Sequence, residues 1–195
     1  RDAPVDLRVN TLAGDLEAAR QSLASEGIEA APVPGVPLAL RLGARRPVQG
    51  TQAFRAGLIE VQDAGSQIAA QLCGARPGMA VADFCAGGGG KTLALAAAMD
   101  NQGRLAALDV AQGRLDRSAA RLRRARVSIV DRRILPDEAW LRAQAAAFDL
   151  VLVDAPCSGS GAWRRDPYAR WQLDEEQLAR YAQAQADSLD QAAGL

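Results

Sequence analysis

Four consecutive glycines followed by Lys and Thr stand where a strand-like pattern changes to a helix-like one. They belong to the segment Asp83-Phe84-Cys85-Ala86-Gly87-Gly88-Gly89-Gly90-Lys91-Thr92. Glycines at such a turn let the backbone pass close to a ligand, and the start of a helix favours an electron-rich group. Because a simple connection gains nothing from the conformational freedom of four glycines, we predict a ligand-binding turn rather than a purely structural one.

The obvious alternative for this segment is the phosphate-binding loop of nucleotide hydrolases. That loop has a Gly five residues before the Gly of its Gly-Lys-Thr end. The corresponding residue here is Cys85. This mismatch counts against a hydrolase that would bind ATP through Gly90, Lys91 and Thr92.

Asp109 ends the next strand-like segment, 19 to 22 residues after the glycines. In a doubly wound sheet, an acidic residue at this place accepts hydrogen bonds from the ribose hydroxyls of an adenosine-containing cofactor. Many strands end in Asp, so this prediction depends on the glycine turn beside it. Arg114, five residues further on, either braces the turn or is simply solvated.

A cysteine follows the fourth strand-like run, in the segment Asp154-Ala155-Pro156-Cys157-Ser158-Gly159-Ser160-Gly161. An exocyclic amine can attack a methyl donor unaided. Ring carbon 5 of cytosine becomes nucleophilic only after a thiolate adds at carbon 6, and Cys157 offers such a thiol. The alternative is a small buried cysteine in a turn, the commonest environment of a free cysteine.

Arginines form a third group of candidate residues. Four arginines lie along one face of a predicted helix: Arg114, Arg117, Arg121 and Arg124. They either bind RNA phosphates or form a solvated charged face. Arginines and indoles also follow the Cys157 segment, in Trp163-Arg164-Arg165-Asp166-Pro167 and Arg170-Trp171. There, cations can grip a phosphate backbone and an indole can stack on a base.

The elements that must position these residues fall into two groups. Residues 1–60 predict a small α/β unit, with a half-buried strand over 5–9, a helix over 14–26, a proline-rich loop over 31–37 and a strand over 38–42. From residue 61 the two element types alternate, with helices over 63–73, 92–99, 111–126 and 137–147, strands over 79–84, 104–109, 127–130 and 148–154, and a last helix from Asp174. This order predicts a doubly wound parallel sheet whose fourth strand is covered on both faces.

Composition excludes several kinds of chemistry. His is absent, which rules out Ser-His-Asp and Cys-His catalysis and any His-ligated metal. The three Cys, without CxxC spacing, indicate neither a disulfide framework nor a zinc site, so a reduced, cytoplasmic setting is the expectation. The sequence shows no signal peptide and no apolar run of membrane-spanning length. Its 23 basic residues balance its 23 acidic ones, so the formal net charge is zero. Arg1 in place of Met indicates a piece of a longer protein.

Taken together, these segments resemble the Sun/Fmu family of RNA (cytosine-5) methyltransferases over the whole chain. The likeness includes Arg8-Val9-Asn10, Val61-Gln62-Asp63-Ala64-Gly65-Ser66-Gln67, the Cys85–Thr92 turn, Asp154–Gly161 and Arg164-Arg165-Asp166-Pro167. The resemblance implies an α/β fold: a Rossmann-like class I S-adenosylmethionine-dependent methyltransferase sheet over 61–195, and a small N-terminal α/β subdomain over 1–60 that contacts RNA. It also implies methyl transfer to carbon 5 of cytosine in ribosomal or transfer RNA, with no metal and no membrane.

The resemblance also implies roles for individual residues. S-adenosylmethionine is expected to bind to Cys85, Ala86, Gly87, Gly88, Gly89, Gly90 and Lys91, with Asp109 at the ribose, Asp131 near the adenine as the acidic residue after the third strand, and Arg114 as a brace. Asp154 is expected to face both the reacting cytosine and the methyl donor. RNA contacts are expected from Arg8, Arg164 and Arg165.

The sequence departs from the family pattern in three respects. Gly87-Gly88 replaces the usual Ala-Pro or Gly-Ala, which makes a looser turn, and the frequent N-terminal helical RNA-binding domain is absent. The family's nucleophile lies in a Thr-Cys pair that is expected, with the C-terminal strands, beyond Leu195, which leaves Cys157 to assist product release. We therefore expect these residues to bind the cofactor but to methylate RNA poorly or not at all. The alternative from another class is a non-catalytic RNA-binding or assembly module.

Overall fold

Two four-stranded sheets form the framework of the chain in the computed structural model, which describes residues 3–195. Arg1 and Asp2, and with them the interpretation placed on Arg1, lie outside the described residues. The first sheet is antiparallel in the order β2-β3-β1-β4, with strands β1 (Asp6–Val9), β2 (Ala30–Val33), β3 (Val36–Leu42) and β4 (Ile59–Val61). Helices α1 (Leu16–Ser25) and α2 (Gln52–Arg55) pack against this sheet.

The proline-rich segment is where the sequence prediction for this unit is wrong. Residues 31–37 were expected to be a loop, but they form most of β2 and the start of β3, joined through a tight turn at Gly35, where φ is +76°. Proline is tolerated there because β2 is an edge strand and does not need every backbone N–H for pairing. Helix α2 and strand β4 have no counterpart among the predicted elements.

Strand β1 is buried on both faces rather than half-buried. Its alternating pattern predicted that Asp6 and Arg8 would face solvent, yet only 5% and 3% of their surfaces are exposed. Both carry specific partners: Asp6 accepts hydrogen bonds from Arg41 and from the backbone N–H of Ala64, and Arg8 donates to Gln62. Polar pairing is what makes the burial of these charged side chains tolerable.

The second sheet is parallel, in the order β7-β6-β5-β8, which confirms the predicted fold class. Its strands are β5 (Ala80–Phe84), β6 (Arg104–Asp109), β7 (Val130–Ile134) and β8 (Leu150–Val153). The helices are α3 (Ala64–Leu72), α4 (Gly90–Ala98), α5 (Gln112–Arg124), α6 (Glu138–Ala143) and α7 (Glu175–Ala192), with short 3-10 turns at Ser160–Ala162 and Pro167–Gln172. Small apolar side chains such as Val81, Ala82 and Ala106 fill the centre of this sheet.

Two strand predictions in this sheet need correction. The third strand was expected over 127–130 but spans Val130–Ile134, because Val127 and Ile129 pack against the core below the sheet before pairing with β6 begins at Val130. The apolar run of β8 was expected to be covered on both faces. Its residues are only half-buried, since β8 is an edge strand of the sheet that residues 3–195 form.

The two sheets meet at the end of α5. The buried side-chain amide of Asn10 donates to the carbonyl of Gly57 at 2.8 Å and to that of Ala125 at 2.9 Å. Gly57 has a φ of +74°, and a Cβ placed on it would lie 1.9 Å from the carbonyl oxygen of Arg124. The backbones therefore approach closely enough at this point that only glycine fits.

Candidate functional site

The glycine turn connects the carboxyl end of β5 to the start of α4. Cys85, Gly87 and Gly89 have φ values of +72°, +57° and +80°, and the N–H of Ala86 donates to the carbonyl of Leu108 at 2.8 Å. A Cβ on Gly89 would lie 3.0 Å from the Cβ of Ser118 in α5. Gly87 and Gly89 are therefore favoured by left-handed backbone, and Gly89 also by close approach, as is expected of a ligand-binding turn.

Asp109, at the carboxyl end of β6, is tied directly to this turn. One carboxylate oxygen accepts the N–H of Gly87 and the other accepts the N–H of Ala111, each at 2.8 Å. The guanidinium of Arg114 lies 3.9 Å from the same carboxylate, close to the bracing position expected of it. Asp109 and the glycine turn, which the sequence predicted to act together, are therefore in direct contact.

The turn also reaches the segment after β8. Lys91, the residue after the four glycines, forms an ion pair with Asp154, whose side chain is 52% exposed. Cys157 is exposed three residues further along. The amide of Gln185 in α7 donates to the carbonyl of Pro156 at 2.9 Å, which anchors this segment on the last helix. One edge of the sheet therefore carries the glycine turn, Asp109, Asp154 and Cys157.

Cys85 differs from Cys157 in its surroundings. It is half-buried beneath α7, where its Sγ lies 3.8 Å from the Oγ of Ser188. Burial raises the pKa of the Cys85 thiol above its ordinary value. A thiol with a raised pKa is a poor nucleophile at neutral pH, so the side chain of Cys85 is not suited to a nucleophilic role.

Asp83 is a further residue of this site, and the sequence patterns predicted no role for it. It is fully buried in β5, and the hydroxyl of Thr92 donates to one carboxylate oxygen at 2.6 Å while the other has no partner among the described residues. Burial raises the pKa of Asp83 to about 7. The sequence feature that could have indicated a role for Asp83 is its place as an acidic residue in an otherwise apolar strand, just before the glycine turn.

We expect Asp83→Asn to make the protein more stable than the wild type, by an amount that depends on pH. The folded pKa of about 7 exceeds the ordinary value of 3.8, so the wild type loses stability as pH rises through that interval. The gain from the variant, measured by denaturant unfolding, should grow by about 1.4 kcal/mol per pH unit between about pH 4 and about pH 7. Asp154 and Lys91 interact with the charge of Asp83, whereas the other titrating groups are shared by the two proteins, so a gain that is constant with pH would contradict the assignment.

Four of the predicted site residues lie elsewhere. Asp131 is the second residue of β7, three positions before the strand end, and pairs with Arg133. The adenine contact was assigned to it as a residue after the third strand, and the shifted strand removes that premise. Arg8 is buried, so a direct contact with RNA is not available to its side chain. Arg165 forms an ion pair with Asp63, and Arg164 precedes it on the turn after the first 3-10 segment.

The arginines along one face of α5 were predicted either to bind RNA phosphates or to form a solvated charged face, and the structure separates them into two pairs. Arg114 and Arg117 are exposed, whereas Arg121 and Arg124 both pair with the carboxylate of Glu60 in β4. The guanidinium of Arg124 also stacks on the ring of Phe54 at 3.8 Å. Half of this face is therefore neither solvated nor free for RNA but is committed to the junction between the sheets.

The residues at this edge fit S-adenosylmethionine. Gly89 is the N-cap of α4 and supplies no side-chain cap, so the first backbone N–H groups of that helix can bind the carboxylate of the cofactor. Each oxygen of Asp109 accepts a single backbone N–H, which leaves lone pairs for ribose hydroxyls; its side chain is only 2% exposed, so such a contact requires the residues that cover it to move. Within residues 3–195, no cluster of His, Cys, Asp and Glu is arranged to hold a metal ion, and no helix is long and apolar enough to cross a membrane.

A parallel doubly wound sheet with a glycine turn after one strand and an aspartate at the end of the next defines a nucleoside-cofactor-binding domain of the methyltransferase class. The chain belongs to the RsmB/F family of 16S rRNA methyltransferases, which matches residues 70–195. The ferredoxin-like domain of RsmF/B-like methyltransferases matches residues 1–49. These matches confirm the resemblance to the Sun/Fmu family, and they confirm S-adenosylmethionine as the cofactor class.

Individual relatives agree with this placement. The ribosomal RNA small subunit methyltransferases B of Xylella fastidiosa (strain 9a5c) and Photorhabdus laumondii subsp. laumondii are 38% and 35% identical, over 97% and 96% of this chain. The alignments cover only 45% and 43% of those proteins, so the chain spans less than half of their length. The solved structure of PH0851 matches with a TM-score of 0.93 at 32% identity, covering 100% of this chain and 44% of that one. A methyltransferase homolog protein from Pyrococcus horikoshii gives 0.74 at 33% identity, covering 83% and 53%.

Proposed function

We propose that this protein binds S-adenosylmethionine at the glycine turn and directs its methyl group to carbon 5 of a cytosine in ribosomal RNA. The observation that carries the proposal is the ion pair between Lys91 and Asp154. It joins the turn that would hold the methyl donor to the segment that carries Cys157. This contact supports a methyl donor and an acceptor base that lie side by side at one sheet edge.

The chain's own residues have distinct tasks in this scheme. S-adenosylmethionine, when bound, supplies an electrophilic methyl group. Asp109 and the backbone of the glycine turn bind it, and Lys91 orients the carboxylate of Asp154. That carboxylate is half-exposed and is suited to accept a hydrogen bond from the exocyclic amine of cytosine.

The cysteine chemistry of the proposal involves two thiols. One thiolate adds to carbon 6 of cytosine, which makes carbon 5 nucleophilic; after methylation, loss of the carbon 5 proton to a base breaks the sulfur–carbon bond. None of the three cysteines here follows a threonine, whereas the family pattern places the nucleophile in a Thr-Cys pair. We therefore assign Cys157 to product release and expect these 195 residues alone to transfer methyl groups slowly.

The chain divides into two units in this proposal, and both contribute to RNA binding or methyl transfer. We propose that residues 1–60 form an RNA-contacting unit and residues 61–195 the cofactor-binding domain. Arg164 and Arg165 follow the Cys157 segment, where they are suited to contact RNA phosphates. A ribosomal RNA substrate places the protein in the cytoplasm.

A calorimetric titration of this chain with S-adenosylmethionine tests the central claim. We expect saturable binding of S-adenosylmethionine and none of ATP with magnesium, because Cys85 stands where a phosphate-binding loop requires Gly. Binding of ATP with magnesium alone would support the hydrolase alternative instead. RNA affinity that depends on neither the cofactor nor Cys157→Ala would support a non-catalytic module. Rapid methylation of ribosomal RNA by these residues would make Cys157 the nucleophile.

A further inference from the structure

Two carbonyl groups of the glycine turn are held by side chains from outside it. Arg121 in α5 donates from Nη1 to the carbonyl of Gly88 at 2.7 Å. Gln62, which directly follows β4, donates from Nε2 to the carbonyl of Gly90 at 3.2 Å. The second and fourth glycines of the run are thus held by long-range side-chain contacts.

Arg121 is itself oriented by the first sheet. Its Nη2 lies 3.1 Å from the carboxylate of Glu60, which is only 2% exposed and also pairs with Arg124. Each guanidinium binds its own oxygen of this buried carboxylate, so moving Arg121 away would lose a charge-assisted hydrogen bond in a buried place whether or not Arg124 is present. Glu60 belongs to β4, so the geometry of this strand is transmitted to the carbonyl of Gly88.

Gln62 is oriented in the same way. Nε of Arg8, which can only donate, lies 2.7 Å from Oε1 of Gln62, and the carbonyl of Gly90, which can only accept, faces Nε2. These two partners determine the orientation of the amide without ambiguity. The other two guanidinium nitrogens of Arg8 are buried without a partner among the described residues, so the bond to Gln62 is the contact that fixes its position.

The glycine turn needs such external support. Gly87 and Gly88 carry neither a Cβ nor a proline ring to restrict them, and four successive glycines lose more conformational entropy on ordering than other residues. A turn that is already ordered binds its ligand more tightly, because binding then does not include the loss of conformational entropy from ordering the turn. The side chains that order the turn therefore influence cofactor affinity without touching the cofactor.

We propose that Arg121 and Gln62, oriented by Glu60 and Arg8, are positioning residues that hold the glycine turn in its cofactor-binding shape, so that the first sheet is part of the cofactor site. This inference rests on the proposed function for the identity of the ligand. It assigns the buried Arg8 a structural task in place of the RNA contact that the sequence predicted.

Arg121→Ala and Arg124→Ala form a matched pair for testing this inference. Each removes one guanidinium from Glu60, but only Arg121 also bonds to the turn. We expect Arg121→Ala to weaken S-adenosylmethionine binding in calorimetry by about 10-fold, the loss of one charge-assisted hydrogen bond, and Arg124→Ala to change it by less than about 3-fold. Arg121→Lys, which can still donate to the carbonyl of Gly88, should recover part of the affinity.

Gln62→Glu provides a second, independent variant. It keeps the acceptor for Arg8 and removes the donor to the carbonyl of Gly90, so the buried guanidinium retains a partner. Hydrogen–deuterium exchange without ligand should show faster exchange of the backbone N–H groups of residues 86–91 in Gln62→Glu and Arg121→Ala than in the wild type and Arg124→Ala. A purely structural role would instead lower the melting temperature of Arg121→Ala and Arg124→Ala alike and leave exchange in the turn unchanged.

The two measurements separate the inference from the function on which it rests. If the turn exchanges faster in both variants but the wild type takes up no S-adenosylmethionine, the positioning role stands and the cofactor assignment fails. If the wild type binds and neither affinity nor exchange distinguishes Arg121→Ala and Gln62→Glu from Arg124→Ala, the positioning role is overturned. The inference then fails although the proposed function survives.

Discussion

Replacing Asp109 with alanine should weaken the binding of S-adenosylmethionine by about 100-fold or more, since each hydrogen bond to a charged group is worth about 1.5–3 kcal/mol. Its carboxylate accepts the N–H of Gly87 and the N–H of Ala111, and the variant leaves both donors without this partner. The glycine turn then loses its side-chain contact with the end of β6 and keeps only the bond from the N–H of Ala86 to the carbonyl of Leu108, and the acceptor proposed for the ribose is lost as well. Calorimetric titration measures the effect directly.

The control for this variant is Asp131→Ala. Asp131 has a half-exposed side chain in β7 and pairs only with Arg133 among the contacts described, so its removal should leave the affinity within about 3-fold of the wild type, as for an exposed ion pair. A large loss in Asp131→Ala would restore the adenine contact that the sequence predicted. Near-normal binding by Asp109→Ala would show that the cofactor lies elsewhere.

Gly57→Ala should lower the free energy of unfolding by on the order of 4 kcal/mol, in the range of the most damaging single substitutions. A Cβ at this position would lie 1.9 Å from the carbonyl oxygen of Arg124, which is backbone and cannot rotate away. The sheets must separate at this point to accept the methyl group, which also strains the bonds of Asn10 across the junction. Denaturant unfolding of the purified variant gives the number.

Gly35→Ala is the matched comparison for this effect. Gly35 has a φ of +76°, almost the same as the +74° of Gly57, but a Cβ there would meet nothing within 4 Å. It should therefore cost only about 1 kcal/mol, the penalty for left-handed backbone alone. Equal losses in the two variants would mean that backbone conformation, and not the junction between the sheets, makes Gly57 necessary.

Periodicity and turn chemistry were sufficient to predict the parallel sheet and the edge where the candidate residues gather. Helix α3 begins after Asp63, β6 spans 104–109 and the glycine turn follows β5 as the sequence indicated, because each depends on neighbouring residues alone. Local pattern failed where tertiary contacts override it. Pro32 is accommodated in the edge strand β2, and the charged side chains of β1 are buried by partners more than 30 residues away.

The candidate site shows the same division. Asp109, Asp154 and Cys157 were recognisable because their types and places at strand ends carry a chemical meaning of their own. Glu60 and Gln62 were not, since their significance comes from Arg121, Gly88 and Gly90 across the junction. Such pairs lie 28 to 61 residues apart in the chain, and no local pattern relates them.

The buried carboxylate of Glu60 also imposes an order of events on synthesis. The first sheet is complete in sequence at Val61, but Arg121 is translated 61 residues after Glu60, and Arg124 follows it. Until α5 leaves the ribosome, that carboxylate lacks both of its salt-bridge partners and has only its cross-strand neighbour Arg8 to compensate its charge, so burying it is costly. The nascent first sheet should therefore remain loosely formed until α5 docks, so the two halves of this chain mature together rather than one after the other.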